Sequence, residues 1–369
     1  MVGYAFMGRA HAHAWRSAHR FFDLPRTPEL TAIVGRDRAA VTAAADKLGF
    51  ASAETDWRAL LERDDIDLID VCTPGDSHAE IAIAALDAGK HVLCEKPLAN
   101  TVDEAEQMAA AARRAAERGV WAMCGFSYRR TPALALAREL VEAGRIGTVR
   151  HVRANYLQDW LSDPEAPMTW RMDKAKAGSG ALGDLGAHLI DTTQWLTDQL
   201  ITTVSASLTT FTTSRPMSDD ARGEVTVDDA SFFTARFADG VIGTFEATRV
   251  ALGRRNALRI EINGTRGSLA FDFEESNVLN FYDGTLPKGE QGFRRIQVTE
   301  PEHPYIGAWW PPGHGLGYEH GFTHQVVDLV NAIAADRQPV PSFADGLQVQ
   351  RVLGAAQQSS DNDSAWTPI

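Results

Sequence analysis

Two groups of residues in this chain have the types and spacing that proton and charge transfer at a hydroxyl require. The first is Glu95-Lys96-Pro97, which follows the apolar run His91–Cys94. A lysine at the carboxyl end of a parallel strand points into the crevice where doubly wound sheets bind ligands. An ammonium in that position steadies a developing oxyanion. The plain alternative is a surface Glu–Lys pair before a turn. The Lys96-Pro97 bond is a candidate cis peptide, which would fix the direction of the lysine.

The second group lies in the glycine-rich run Gly178–Asp191, with polar side chains at Asp184, His188 and Asp191. At about 100° per helical residue, the four steps from Asp184 to His188 turn about 400°, and the seven to Asp191 about 700°. All three side chains therefore share one helical face. A histidine held by a carboxylate serves as a general base near neutral pH. The alternative is a solvated Asp–His pair at helical spacing. No third ligand is evident near His188 and Asp191, so no metal site is expected.

A third pattern opens the chain. Gly3, Ala5 and Gly8 make a G-x-A-x-x-G fingerprint that also contains Phe6 and Met7. The first glycine permits a tight strand-to-helix turn, the second position lets backbone approach a pyrophosphate, and the helix start supplies free N–H groups. Only Met1 and Val2 precede it, where a strand of about five residues is the norm. The reading at this stage is a start that omits native residues. After the next strand come Gly35, Arg36 and Asp37. An acid at the first of these positions bonds a ribose 2′-hydroxyl and selects NAD, whereas a cation nearby accommodates a 2′-phosphate. Gly35 and Arg36 favour NADP; Asp37 keeps NAD open.

The elements that must position these groups are legible as a change of pattern. Short apolar runs at Leu30–Val34, Ile66–Cys72, His91–Cys94 and Val120–Gly125 alternate with helical stretches near Arg9–Arg20, Arg38–Leu48, His78–Ala88 and Val102–Glu117. This is a doubly wound α/β domain, expected over residues 1–125. Over 126–369 the chain turns β-rich and mostly alternating, at Val149–Leu157, Thr203–Thr212, Ala230–Phe237, Val241–Val250, Leu258–Asn263, Ser268–Phe273 and Arg294–Val298. Turns are expected at Asp239-Gly240, Asn263-Gly264 and Asp283-Gly284. The expectation is an α+β domain: an open, mostly antiparallel sheet, a helical insertion at about Leu182–Leu196, and closing helices at Gly321–Ala335 and Ala344–Gln358. The stretch Pro301–Gly317 reads as a long loop.

Composition narrows the function classes. Hydrophobic residues make up 44% of the 369 and charged residues 23%, enough for a large core without disulfides. The net charge of −13 argues against nucleic acid and anionic membrane surfaces as partners, because both need a basic face. Cys72, Cys94 and Cys124 each sit in an apolar run with no CxxC pair, and read as inert thiols in a reducing cytoplasm. No run of 18 apolar residues or secretory leader is apparent.

With these motifs in order, the chain resembles the glucose–fructose oxidoreductase and inositol dehydrogenase family along essentially its whole length. The run Phe126–Pro132, containing Tyr128, Arg129 and Arg130, then Tyr156, Gln158 and Trp160, then Trp170 and Arg171, resembles its branch of levoglucosan and related sugar and cyclitol dehydrogenases. The resemblance implies a Rossmann domain, and a C-terminal sheet whose free face forms homodimers often paired into homotetramers. It implies that Lys96 is the active-site lysine, His188 the base and Asp184 a carboxylate that orients substrate. Thr73, Pro74 and His78 match the family's T-P-N-x-x-H segment, and with Glu95 and Lys96 they join the expected cofactor contacts. Gly75 stands where the family has Asn.

The implied reaction is hydride transfer between a secondary hydroxyl of a sugar or cyclitol and NADP or NAD. His188 would take the hydroxyl proton and Lys96 would steady the alkoxide. Tyr128, Trp160 and Trp170 would wall a pyranose; Gln158 and Arg171 would bond hydroxyls. His314, Tyr318 and His320 are candidates to close the pocket. Two other readings stand beside this one: a glycosidase working by transient oxidation with tightly held NAD, and a non-catalytic dinucleotide sensor, which would lack the lysine or the histidine.

Overall fold

The computed structural model describes residues 1–217 and 221–369. In chain order the first elements are α1 (Phe6–Phe21), β1 (Ala32–Val34), α2 (Arg38–Leu48), β2 (Ser52–Glu54), β3 (Leu68–Val71), α3 (His78–Asp87), β4 (His91–Cys94), α4 (Val102–Ala116) and β5 (Ala122–Cys124). Then follow α5 (Pro132–Glu142), β6 (Val149–Leu157), α6 (Lys174–Ala177), a π-helical turn at Leu182–Gly186, α7 (Ala187–Thr197) and β7 (Ile201–Thr209). A small hairpin of β8 (Ser214–Pro216) and β9 (Arg222–Glu224) precedes β10 (Ala230–Phe237), β11 (Ile242–Thr248), β12 (Ala257–Gly264) and β13 (Gly267–Asp272). The chain closes with β14 (Val278–Asp283), β15 (Phe293–Gln297), α8 (Tyr318–Ala334), α9 (Phe343–Asp361) and β16 (Thr367–Pro368).

Two compact units result. The first comprises Met1–Arg130 and Gly317–Gln348, the second Thr131–Leu316 and Val349–Ile369. A single cut near residue 125 does not describe this division, because α8 returns to the first unit. Phe322, Val326, Leu329 and Val330 form a helical stripe that buries against Ala14, Trp15 and Ala18 of α1. An apolar stripe at that spacing has to find a partner face, and α1 offers one.

In the first unit, β3, β4 and β5 pair in parallel, as do β1 and β2. Val2 bridges both groups, pairing with Val34 on one side and Val71 on the other. Met1 and Val2 are both buried. Local chemistry sets the helix limits. Asp37 caps α2 by accepting from the Ala40 N–H, and Gly49 ends it in the left-handed region. Thr101 and Glu104 form a reciprocal capping box on α4. The short strand β2 was not foreseen, since Ser52–Glu54 carries no apolar run.

In the second unit the strands run in the order β15-β14-β13-β12-β6-β11-β10-β7-β16. All neighbours are antiparallel except β6 and β11, which pair in parallel, so the sheet is mostly rather than wholly antiparallel. Strand β14 was also missed, because Asn280 interrupts its apolar pattern. Helix α7 packs on β6 and β12, and α5 on α7 and β14. Among the described residues no helix is long and apolar enough to cross a membrane. Cys72, Cys94 and Cys124 are buried and form no disulfide, and burial pushes the Cys72 thiol up to about 12, so it stays protonated.

Candidate active site

The glycine loop forms one cradle. Gly3 has φ +98°, and a Cβ on Gly8 would lie 2.3 Å from the Gly3 carbonyl oxygen. Helix α1 therefore starts as close to the loop as backbone permits. Ala5 stands at its N-cap without a side-chain bond, and the first turn carries no acid. The free N–H groups and positive end of the helix suit a pyrophosphate. Phe6 is exposed and stacks on Tyr318 at 6.1 Å, while Met7 packs inward.

At the end of β1, a Cβ on Gly35 would lie 1.9 Å from Cε1 of Tyr4. The Tyr4 ring occupies the space an acidic side chain would need. Oδ1 of Asp37 caps α2 at 2.8 Å from the Ala40 nitrogen, and Arg36 beside it is exposed.

Around Lys96 the picture is mixed. His78 is buried, with Nε2 2.8 Å from the Thr73 carbonyl and Nδ1 3.0 Å from that of Pro97. It ties the Thr73-Pro74 loop to the turn after Lys96, where a direct cofactor contact was expected. A Cβ on Gly75 would lie 2.3 Å from Oδ1 of Asn100. The carboxamide of Asn100 thus fills the space that a side chain at 75 would need, a proximity that 25 residues of separation hid from the sequence. The Lys96-Pro97 bond is cis. Glu95 was expected beside the cofactor; its carboxylate instead turns inward, 2.8 Å from His11 Nε2. Tyr128 is buried in this first unit.

In the second unit the π turn at Leu182–Gly186 leads directly into α7. A π turn closes over five residues and rotates less per step than an α-helix, so the angle expected between Asp184 and His188 is altered. The turn is held from below: both carboxylate oxygens of Asp228 accept backbone N–H bonds, from Gly180 and Leu182, each at 2.7 Å. His188 is buried and meets Tyr156 edge-on at 5.9 Å. Asp184 pairs with Arg249, Oδ2 to Nη2 at 3.1 Å. Arg249, 2% exposed, carries no signal in the sequence, where it is one arginine near the end of the expected strand Val241–Val250, 65 residues from its partner.

The expected pocket residues separate into walls and props. Trp160 is exposed and Trp170 half-buried, with Arg171 stacked 4.5 Å over the Trp170 ring. Gln158 spends its amide on structure: Oε1 accepts from Trp160 Nε1 at 2.9 Å and Nε2 donates to Asn256 at 2.8 Å. His314 bonds the Pro311 carbonyl in the second unit, whereas Tyr318 and His320 open α8 in the first.

Residues 1–123 match the family model described as an oxidoreductase family with an NAD-binding Rossmann fold, and residues 134–270 match the GFO/IDH/MocA C-terminal domain. Levoglucosan dehydrogenase of Pseudarthrobacter phenanthrenivorans is 38% identical, the alignment covering 100% of this chain and 97% of that one. The crystal structure of an oxidoreductase domain protein from Kribbella flavida superposes with TM-score 0.98 at 67% identity, covering 100% and 97%. A levoglucosan dehydrogenase in complex with NADH and levoglucosan superposes with TM-score 0.96 at 40% identity and the same coverage. This chain belongs to the GFO/IDH/MocA family of NAD-binding sugar oxidoreductases.

Proposed function

We propose that the protein is a pyranose or anhydrosugar dehydrogenase that prefers NADP, with Lys96, His188 and Asp184 acting on one secondary hydroxyl. The observation that carries the substrate side is the Asp184–Arg249 pair, with Asp184 on the π turn and His188 in the first turn of α7 that follows it. It offers a fixed hydrogen-bond acceptor and an imidazole one helical turn apart. His188 takes the hydroxyl proton, Asp184 orients a neighbouring hydroxyl, and Lys96 steadies the negative charge that develops on oxygen. The nicotinamide, when bound, accepts the hydride. Trp160 and Trp170 supply apolar faces for the ring. The full-length likeness to a levoglucosan dehydrogenase supports a 1,6-anhydro sugar as one substrate.

The cofactor preference rests on Tyr4 and Arg36. With Tyr4 over Gly35, position 35 has no room for an acid, one oxygen of Asp37 is engaged as a cap, and exposed Arg36 suits a 2′-phosphate. The sheet of the second unit exposes Phe232 and Ile242, which supports self-association through that face in a soluble, cytoplasmic enzyme. The test is a panel of pyranoses, anhydrosugars and cyclitols with NAD and with NADP, read at the reduced-nicotinamide absorbance, with mass measured by light scattering. Turnover of a pyranose or anhydrosugar, faster with NADP, is expected. A cyclitol-only profile, or aglycone release without net reduction of cofactor, would overturn the reading.

A further inference from the structure

Behind the Lys96 turn lies a buried ionic array that the proposed reaction does not use. His11 comes from α1, Asp70 from β3 and Glu95 from the end of β4, and they are 1%, 3% and 5% exposed. His11 Nδ1 is 2.9 Å from Asp70 Oδ1, and His11 Nε2 is 2.8 Å from Glu95 Oε1. Trp15 Nε1 donates to Asp70 Oδ2 at 2.7 Å. A neutral imidazole carries one N–H, so two carboxylates facing both ring nitrogens call for the imidazolium. Burial alone would lower the His11 pKa. The charge and hydrogen bond of Asp70 outweigh it and raise that pKa well above its ordinary value. Burial works the other way on Asp70, and there the pull of His11 wins and lowers its pKa.

His11, Asp70 and Cys72 also lie close enough together to suggest a metal site. Both His11 nitrogens are already taken, and the Cys72 thiol holds its proton, so an ion array accounts for the cluster. Such an array is expensive to bury, and apolar replacements of similar volume are often as stable or more so. Its position shows another use. The second oxygen of Glu95, Oε2, lies 3.3 Å from the Lys96 backbone nitrogen. A Cβ on Gly125 would lie 3.0 Å from Glu95 Oε1, so the glycine there leaves the space in which the inward-turned carboxylate sits.

We propose that His11, anchored by Asp70, fixes the Glu95 carboxylate and through it the direction in which Lys96 is presented. This rests on the reading of Lys96 as the reacting cation. His11 and Glu95 are then positioning residues rather than groups that touch substrate.

The experiment compares wild type, Glu95→Gln and His11→Gln as full chains. It uses three readouts: steady-state kinetics, cofactor affinity by reduced-nicotinamide fluorescence, and acylation of Lys96 by dilute acetic anhydride measured by peptide mass spectrometry. The expected result is a kcat lower by about 10- to 100-fold, with sugar KM and cofactor Kd within about threefold. Lys96 acylation should change by about threefold or more, while Lys47 and Lys288 stay as in wild type. Should His11→Gln fail to fold, Glu95→Gln, which keeps an acceptor for His11, decides. Folded variants with wild-type kcat and wild-type Lys96 acylation would overturn the proposal. Failure of both to fold would also overturn it, making the array a folding element. A wild type that turns over no sugar sinks the functional reading alone, because the acylation comparison still decides this one.

Discussion

Arg249 and Asp184 form an ion pair in which the cation is 2% exposed and the carboxylate 31% exposed. One end of the pair is fixed in protein and the other is offered outward. Arg249 also approaches the Arg171 carbonyl at 3.4 Å and lies 5.5 Å over the Trp160 ring. A permanent cation with planar, directional donors suits Asp184 to accept hydrogen bonds at a set angle. Arg249→Met should lower kcat/KM by about 10- to 100-fold, or about 1.4–2.7 kcal/mol of transition-state stabilisation. Steady-state kinetics on any accepted sugar checks this, and a wild-type value would remove Arg249 from the site.

Lys96→Ala and His188→Ala should each lose turnover by about 100-fold or more, since each removes a group proposed to transfer the proton or stabilise the charge. Cofactor affinity, read by fluorescence titration, should stay within about threefold. Full activity in either variant would exclude that residue from the mechanism.

Cofactor choice should respond to Arg36 and Tyr4. Arg36→Ala should raise KM for NADP by about tenfold, the loss of one exposed charge-assisted contact, with little change for NAD. Gly35→Asp alone should destabilise, because its Cβ meets the Tyr4 ring at 1.9 Å. The double variant with Tyr4→Ala should fold and shift preference toward NAD. Paired KM measurements with both cofactors settle the matter.

Asn100 stands in the space of a side chain at 75. Asn100→Ala should weaken cofactor binding by about 3- to 30-fold, the worth of one or two hydrogen bonds. Restoring an asparagine at 75 in that background should recover part of the loss. Titration of the three proteins with reduced cofactor is the check, and an unaltered Kd in Asn100→Ala would dismiss the substitution.

His324 gives a pH prediction. Burial lowers its pKa to about 3, and its Nδ1 lies 2.9 Å from the Arg130 carbonyl. The unfolded chain binds this proton near pH 6.5 and the folded chain does not, so folded stability falls as pH drops from 6.5 toward 3. Between pH 7 and pH 4 the contribution is about 3 kcal/mol. His324→Asn should lose less stability over that interval than wild type by about this amount in urea titrations. Equal losses would mean that His324 is charged in the folded protein.

The sequence by itself determined the doubly wound domain and the β-rich domain, and it singled out Lys96, Asp184 and His188 as candidates. Those features are local: an apolar run of four residues, a glycine loop, a helix-spaced pair. Strands Val149–Leu157 and Ala230–Phe237 match the expected limits, because their turns are set by the residues beside them. Tertiary structure decided what depends on residues far apart in the chain. It returned α8 to the first unit, placed Asn100 where Gly75 leaves room, turned Glu95 inward onto His11, and set Arg249 against Asp184. Each of these is a contact between side chains 25 or more residues apart, or a helix choosing its burial partner. Periodicity and motif spacing carry no information about such contacts, because the fold's packing, and not the neighbouring residues, brings the groups together.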